Sequence, residues 1–503
     1  MNRQSLGTLT AHVAGLPLLL RQARSSVAPL SVLQGVVIGA GLFWSIGFVW
    51  LGLVYHVEAY GDGSIFAYAI AVQDTWAFHW HNIAPRLTVY AFTMLPAEFV
   101  VRITGNPYAG MATYGGLFFG TQILGLVATW CWDISPRKLF FTFACASVML
   151  LDPLVFGAPS EVWVSNAFFW PTLAYGSFKA TTKNSMIVLT LLMSALVLSH
   201  ETALPFAVMI ATSVLIFCIH PLQKRAALVA LAIAILAWSV IKVQIPPDAY
   251  YADVLKRAAL NFFNPSLLLC ALVLILTSSL VFYLSVLAIL HRCHRQNPTA
   301  LAVALTLGAL AVYWLWYDHT IHAESRYYMR TFLAGGILVL GTLAVLVNAH
   351  LEHGASSSSR WIARGFAFCQ QPTSTRGLCG ALCIVTGIYI VETAKFVSVW
   401  DMYQRDLRSL VLSEQADPSL GNPDFVSSKR LGTQVSQLAW YSTTPYLGLI
   451  VSNFQARRLP IDAIGRYFWL ACSTATQNMK ATRVVPESAR DMIRVYSCLH
   501  RQD

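Results

Sequence analysis

Charge is scarce in this 503-residue chain: Asp, Glu, Lys and Arg make up 11% of it, against about 25% in soluble domains. Hydrophobic residues make up 56%, and the mean hydropathy is +0.58. So few charges exclude a water-soluble globular chain, because its surface cannot be covered with water-compatible groups; the bilayer must be the solvent. Basic runs mixed with aromatics are missing, which argues against nucleic acid as a partner. The net charge of +11 is left to Lys and Arg in cytoplasmic loops. The ten cysteines lack metal-ligand spacing, and Cys379 and Cys383, at the start of an apolar segment, read as small buried hydrophobes. No Rossmann or P-loop signature occurs either.

What is present is a series of long apolar segments. A span needs about 20 apolar residues, and the candidates are 32–55, 110–131, 138–156, 163–178, 185–200, 202–219, 225–243, 265–290, 299–316, 331–348 and 378–394. Residues 87–103 are apolar but short, flanked by Arg86 and Arg102. If they lie on the membrane surface as an amphipathic helix, the basic groups Arg137/Lys138, Lys179/Lys183, Lys224/Arg225, Arg292/Arg295 and Arg360/Arg364/Arg376 all fall on the inner side, with the N-terminal arginines. If they cross, the later groups move outside, against the positive-inside rule. The expected architecture is therefore an all-α polytopic membrane protein of about eleven transmembrane helices. Its N-terminus is cytoplasmic and its C-terminus lies outside the inner (plasma) membrane of a bacterium. Residues 1–31 form a cytoplasmic or interfacial lead-in, 32–395 the membrane module, and 396–503 a small outward α/β domain with turn signals at Asp417-Pro418, Gly421-Asn422-Pro423 and Thr444-Pro445. The inner loop 349–377, with Ser356–Ser359, reads as a flexible linker. Cys472 and Cys498, alone in the tail, either pair as a disulfide in an oxidising compartment or remain two buried thiols.

Ionisable residues concentrate in the first outward loop, 56–109, beginning HVEAYGDGSIFAYAIAVQDTWAFHWHNIAPRL. Asp62 lies between Gly61 and Gly63, which let the backbone turn tightly and leave the carboxylate accessible. It is the leading catalytic candidate, although Gly-Asp-Gly equally reads as a turn whose Asp caps a helix at 64–73. Asp74 is the second candidate, or a cap for the next segment. His79, His81 and Arg86 suit phosphate, or anchor the interface beside Trp76, Trp80 and Tyr90. His-x-His without a third ligand of known spacing is weak as a zinc signal, so no metal site is assigned. The loop 317–330 adds His319, His322, Glu324, Arg326, Tyr327 and Arg330; the two arginines, four apart, share a face if helical and suit a phosphate-linked substrate. A solvated loop is the plain alternative. His200-Glu201 interrupts an apolar stretch and either pairs within the bundle or faces a cavity.

One span, then a long outward loop with an acid soon after it, resembles the GT-C fold, the integral-membrane glycosyltransferases that include lipid A aminoarabinose transferases and protein O-mannosyltransferases. The residues that carry the likeness are Gly61-Asp62-Gly63, Tyr68 and Ala84-Pro85-Arg86-Leu87-Thr88-Val89-Tyr90. The family often has Glu where Gly63 stands, and a Pro-Pro-aromatic run where this chain has only Pro85-Arg86. The resemblance implies Asp62 as the catalytic carboxylate, a polyprenyl-phosphate-linked sugar as donor, a glycan, lipid or protein acceptor, and a divalent cation as a conceivable cofactor. Tyr68, His200, Glu201, Glu324 and Tyr327 would then line the substrate cavity. A transporter or flippase of a lipid-linked or anionic solute would call for internal repeats and charges at the bilayer midplane, and neither is evident. An O-antigen polymerase or ligase would carry its main loops late in the chain.

Overall fold

The structure is a computed structural model. It describes residues 29–71, 73, 86–155, 161–244, 256–257, 259–260, 264, 269–322, 329–353, 360–413, 425–432, 437–440, 443–453 and 455–461. Asp74, His79, His81, Glu324, Arg326, Tyr327, Cys472, Cys498 and Ser356–Ser359 lie outside the described residues.

The fold is a helical bundle. Its elements are α1 (Pro29–Tyr55), α2 (Gly63–Ala71), α3 (Leu87–Thr104), α4 (Pro107–Trp132), α5 (Leu139–Val155), α6 (Val162–Phe178), α7 (Lys183–Val197), α8 (Ala203–Phe217), α9 (Pro221–Gln244), α10 (Ala271–Arg292), α11 (Pro298–Trp316), α12 (Arg330–His353), α13 (Arg360–Gln370), α14 (Pro372–Leu412) and α15 (Thr444–Val451). Two three-residue strands, β1 (Phe425–Ser427) and β2 (Leu459–Ile461), pair in parallel in the tail. Among the described residues, nine helices are long and apolar enough to cross a membrane. Their outward faces carry side chains such as Ile46, Leu236, Val243, Val281 and Leu315, all more than half exposed. In water such a surface would drive association; in lipid it is the solvated surface. The chain is a multi-pass membrane protein.

Each expected apolar segment holds a helix, but three of the helices are short. The α6 helix has 17 residues, and α7 and α8 have 15 each. At about 1.5 Å per residue, 15 residues span roughly 22 Å, less than a bilayer core of about 30 Å. Their ends coincide with Glu161, His200 and Glu201, which are drawn into the interior by ion pairs described below. Small residues let the central helices approach closely. Gly125 of α4 lies against the Ala167 carbonyl of α6, and Gly41 of α1 lies against Cys145 of α5.

Three expectations change in detail. Residues 87–104, expected as a surface helix too short to span, form one continuous 18-residue helix that is itself among the nine long and apolar enough to cross. It has a π turn at Tyr90–Met94 just ahead of Pro96, whose missing N–H cannot continue the ladder. The expected boundary at 395–396 falls inside α14, a 41-residue helix that continues to Leu412. The expected linker 349–377 is largely helical: it takes in the end of α12, all of α13 and the start of α14.

Candidate functional site

The first loop turns twice within six residues. His56 takes a left-handed conformation (φ 50°) as α1 ends, and Gly61 does the same (φ 58°) before α2. Gly61 can adopt this without a side-chain penalty. Its open side faces the Trp440 ring, where an added Cβ would sit 3.5 Å away. Between the two turns, Val57, Glu58 and Ala59 are fully buried. Tyr60 is clasped edge-on by Phe396, Trp400 and Trp440, at centroid distances of 5.3, 5.6 and 6.2 Å, and the Trp440 indole donates to its hydroxyl at 3.1 Å. The Trp400 indole and the Gln404 amide donate to the Tyr55 carbonyl at 2.8 and 3.0 Å. Tyr68 meets Tyr446 of α15 edge-on at 5.2 Å. The tail thus holds the loop that carries Asp62. Asp62 is half-buried, and its carbonyl accepts from the Ile65 and Phe66 amides in the first turn of α2.

Glu58 points inward. Its carboxyl fits against Gly115 of α4, where a Cβ would lie 2.6 Å from Cδ. His56 Nδ1 lies 3.3 Å from Glu58 Oε1, while Glu58 Oε2 has no hydrogen-bond partner among the described residues. Burial pushes the Glu58 carboxyl up, and the His56 contact only partly offsets it. Burial works against a charged His56, yet the bond and charge of Glu58 outweigh it and raise the imidazole above its usual value. The pair therefore holds one proton more firmly than either group alone.

A second cluster forms around Arg86, at the start of α3. Its guanidinium pairs with Glu161, at the start of α6, and with Glu201 at 3.3 Å, in the link between α7 and α8. Lys242, near the end of α9, reaches Glu201 Oε1 at 3.0 Å. His200 Nδ1 lies 3.8 Å from Glu201 and accepts the Thr202 amide at 3.1 Å. Thr88 fastens the start of α3 to the end of α7, donating to the Ala195 carbonyl at 2.6 Å and the Leu198 carbonyl at 3.3 Å. Burial pushes the Glu161 carboxyl up, but the Arg86 and His200 charges more than reverse this and hold it below the usual carboxylate range. Arg86 and Lys242 face Glu161 and Glu201, so Arg86 is engaged by acids rather than open to phosphate. Buried pairs of this kind define geometry more than they add stability. Tyr114 of α4 is buried within electrostatic reach of Glu161, Glu58 and Asp62, which places both clusters about one residue.

A third group lies where α11 ends. Asp318 Oδ2 meets His322 Nε2 at 3.0 Å and Lys395 Nζ at 3.4 Å. Lys395 also meets Glu392 Oε1 at 3.1 Å, and the Trp314 indole donates to the same oxygen at 3.0 Å. Burial pushes the Asp318 carboxyl up, but hydrogen bonds from Thr320 and His322 outweigh it and bring it down to about 2. His319 is exposed, and Arg330 begins α12.

The structure thus brings Arg86, His200 and Glu201 together, and sets Asp62 four residues after buried Glu58, both within electrostatic reach of Tyr114. His322 is set apart with Asp318. Sequence reasoning passed over Glu161, Lys242, Glu392 and Lys395. Their signal was present: each is an ionisable residue at the end of an apolar segment, where charge is costly without a partner. No protein-family model matches the chain, and a search of curated proteins finds no match.

Proposed function

We propose that the chain is a membrane glycosyltransferase of GT-C type. It would move a sugar from a polyprenyl-phosphate-linked donor to a glycan, lipid or protein acceptor at the outer face of a bacterial inner membrane. The observation that carries this reading is the setting of Asp62: a half-buried carboxylate on a doubly turned loop, next to a run of aromatics and in reach of Tyr114 together with Glu58 and Glu161. Asp62 acts as general base, taking the proton of the acceptor hydroxyl or amine as that group attacks the anomeric carbon. The bond from that carbon to the phosphate oxygen breaks, and the phosphate leaves with its charge. Arg86, Arg326 and Arg330 stabilise that charge, with His79, His81, His319 and His322 as further phosphate contacts. For Arg86 this means giving up one carboxylate, and Glu201 retains Lys242 when it does.

The eleven-span topology fits the same arrangement. Arg86, which leads into α3, meets Glu161 and Glu201, while Tyr108, just after its end, donates to the Ile450 and Val451 carbonyls of α15. Tyr114 is within electrostatic reach of both Glu161 and Glu58. In that topology Glu161, Glu201 and the tail all lie outside, so these contacts at the two ends of α3 suit a helix that stays at the surface, although α3 is also long and apolar enough to cross. Its exposed stripe of Phe92, Leu95, Phe99 and Ile103 suits the acyl boundary, where a lipid-linked donor arrives.

The test is Asp62→Asn in purified full-length protein, assayed for transfer from a mixture of radiolabelled polyprenyl-phosphate sugars. Transfer by wild type that falls at least about a hundredfold in a folded variant supports the reading, since general-base catalysis is worth about 10²–10⁴. Undiminished transfer removes Asp62 from the mechanism, and no transfer by wild type from any donor overturns the assignment.

A further inference from the structure

Asp318, His322 and Glu392 each offer one ligand atom, and these atoms lie within 4.8 Å of one another. Asp318 and Glu392 are buried. The donor set is one imidazole nitrogen and two carboxylates, the chemistry preferred by a zinc-like divalent cation. Ligands about 2.1 Å from such an ion stand roughly 3.4 Å apart. The Asp318–His322 distance of 3.0 Å is already close to this, and the remaining separations need only a small closure.

Three further observations point the same way. Glu392 is 1% exposed, and its Oε2 has no hydrogen-bond partner among the described residues. Asp318 is oriented by its neighbours: Oδ1 accepts the Thr320 amide at 3.1 Å and hydroxyl at 2.7 Å, which leaves Oδ2 to face His322. The Trp314 indole orients Glu392 in the same manner. Such outer hydrogen bonds are the usual support for metal ligands. His322 itself adopts a left-handed backbone conformation (φ 50°), a strained geometry that brings its ring back onto Asp318.

Charge points the same way. Among the described residues, two carboxylates face one ammonium, Lys395 Nζ, which sits between Asp318 Oδ2 and Glu392 Oε1. With His322 neutral, as a metal ligand must be, one negative charge of this group is left over where uncompensated charge is costly. A divalent cation in the place of the ammonium brings that sum to zero, and the Lys395 side chain is partly exposed.

We infer that Asp318, His322 and Glu392 form a divalent-cation site of zinc type, with Lys395 as an internal cation that occupies the same position and competes with the metal. The bound ion ties the loop after α11 to α14. This inference stands independently of glycosyl transfer, because its readout is metal binding alone.

The experiment is equilibrium zinc binding to the purified full-length protein in detergent, with metal analysis after gel filtration. One zinc per chain is expected for wild type, lost or weakened at least about tenfold in His322→Ala and Glu392→Gln. Lys395→Met is expected to bind about tenfold more tightly than wild type, because it removes the competitor and leaves all three ligands. That gain cannot arise from misfolding, so it decides the matter if the ligand variants fold poorly. No stoichiometric binding by wild type, or binding that is indifferent to His322→Ala and unimproved by Lys395→Met, overturns the site. A protonated His322 would then be the neutralising charge.

Discussion

Glu161 shows how much one side chain can be asked to do. It begins α6, pairs with Arg86 and shares Tyr114 with Asp62 and Glu58. Its carboxyl is held below the ordinary value of 4.5. A depressed carboxylate adds stability above its unfolded value, and the gain is lost as pH falls through the lower folded one. Acid lability beginning below about pH 4.5 is therefore expected, and Glu161→Gln should remove that component. The variant should also lower stability by about 2–3 kcal/mol, somewhat less than the ~3–5 kcal/mol for breaking a buried pair, because Glu201 remains with Arg86. Chemical unfolding in detergent as a function of pH measures both. Glu58 makes the opposite prediction. Its pKa and that of His56 are raised, so the pair stabilises most at low pH and loses this as pH rises through the folded values. Gly115→Ala tests the setting of Glu58 by placing a methyl 2.6 Å from its Cδ. A cost of about 1–3 kcal/mol is expected from such overpacking, with a loss of transfer activity in the same variant.

At the scale of elements, the tail clasps the first loop. The α15 helix packs on α2 through Tyr446 and Tyr68, and Trp440 covers Gly61 while donating to Tyr60. Trp440→Ala is expected to cut transfer at least tenfold while leaving the yield of extracted protein unchanged, and activity assays beside gel filtration check this. Sequence periodicity and length placed the helices well: every expected apolar segment, from 32–55 to 378–394, contains one. It placed their ends less well. The α14 helix continues beyond the apolar run because residues 396–412 alternate buried Phe396, Trp400, Tyr403 and Leu407 with polar positions, a helical stripe that pays no heed to the membrane boundary. In the site, His200 and Glu201 were legible because they interrupt an apolar stretch, and Arg86 because it leads into one from a charge-rich loop. Glu161 and Lys242 carried the same signal, but their pairing, 75 residues from Arg86 to Glu161 and 41 from Glu201 to Lys242, is a property of the folded bundle. Gly61-Asp62-Gly63 was legible as a turn, but its cover by Trp440 was not.

At the scale of the whole molecule, the orientation has its own test. In the eleven-span topology Cys131, at the end of α4, and Cys293, just after α10, face the cytoplasm, and both are exposed. A membrane-impermeant maleimide applied to intact spheroplasts should leave them unlabelled and should label a His319→Cys variant. Labelling of Cys131 or Cys293 from outside would invert the topology.

The length of α14 has a mechanical consequence. Its 41 residues make a rod of about 60 Å, twice the thickness of a bilayer core. Within it no proline follows Pro372, so the commonest cause of a sharp kink is missing. Through Trp400 and Gln404 the rod grips the Tyr55 carbonyl. Loop and tail therefore ride on a common mast. When the surrounding lipid thickens or thins, the bundle should tilt as a unit and the turn at Asp62 should keep its shape, so the proposed transfer should be nearly flat across vesicles of short- and long-chain lipids.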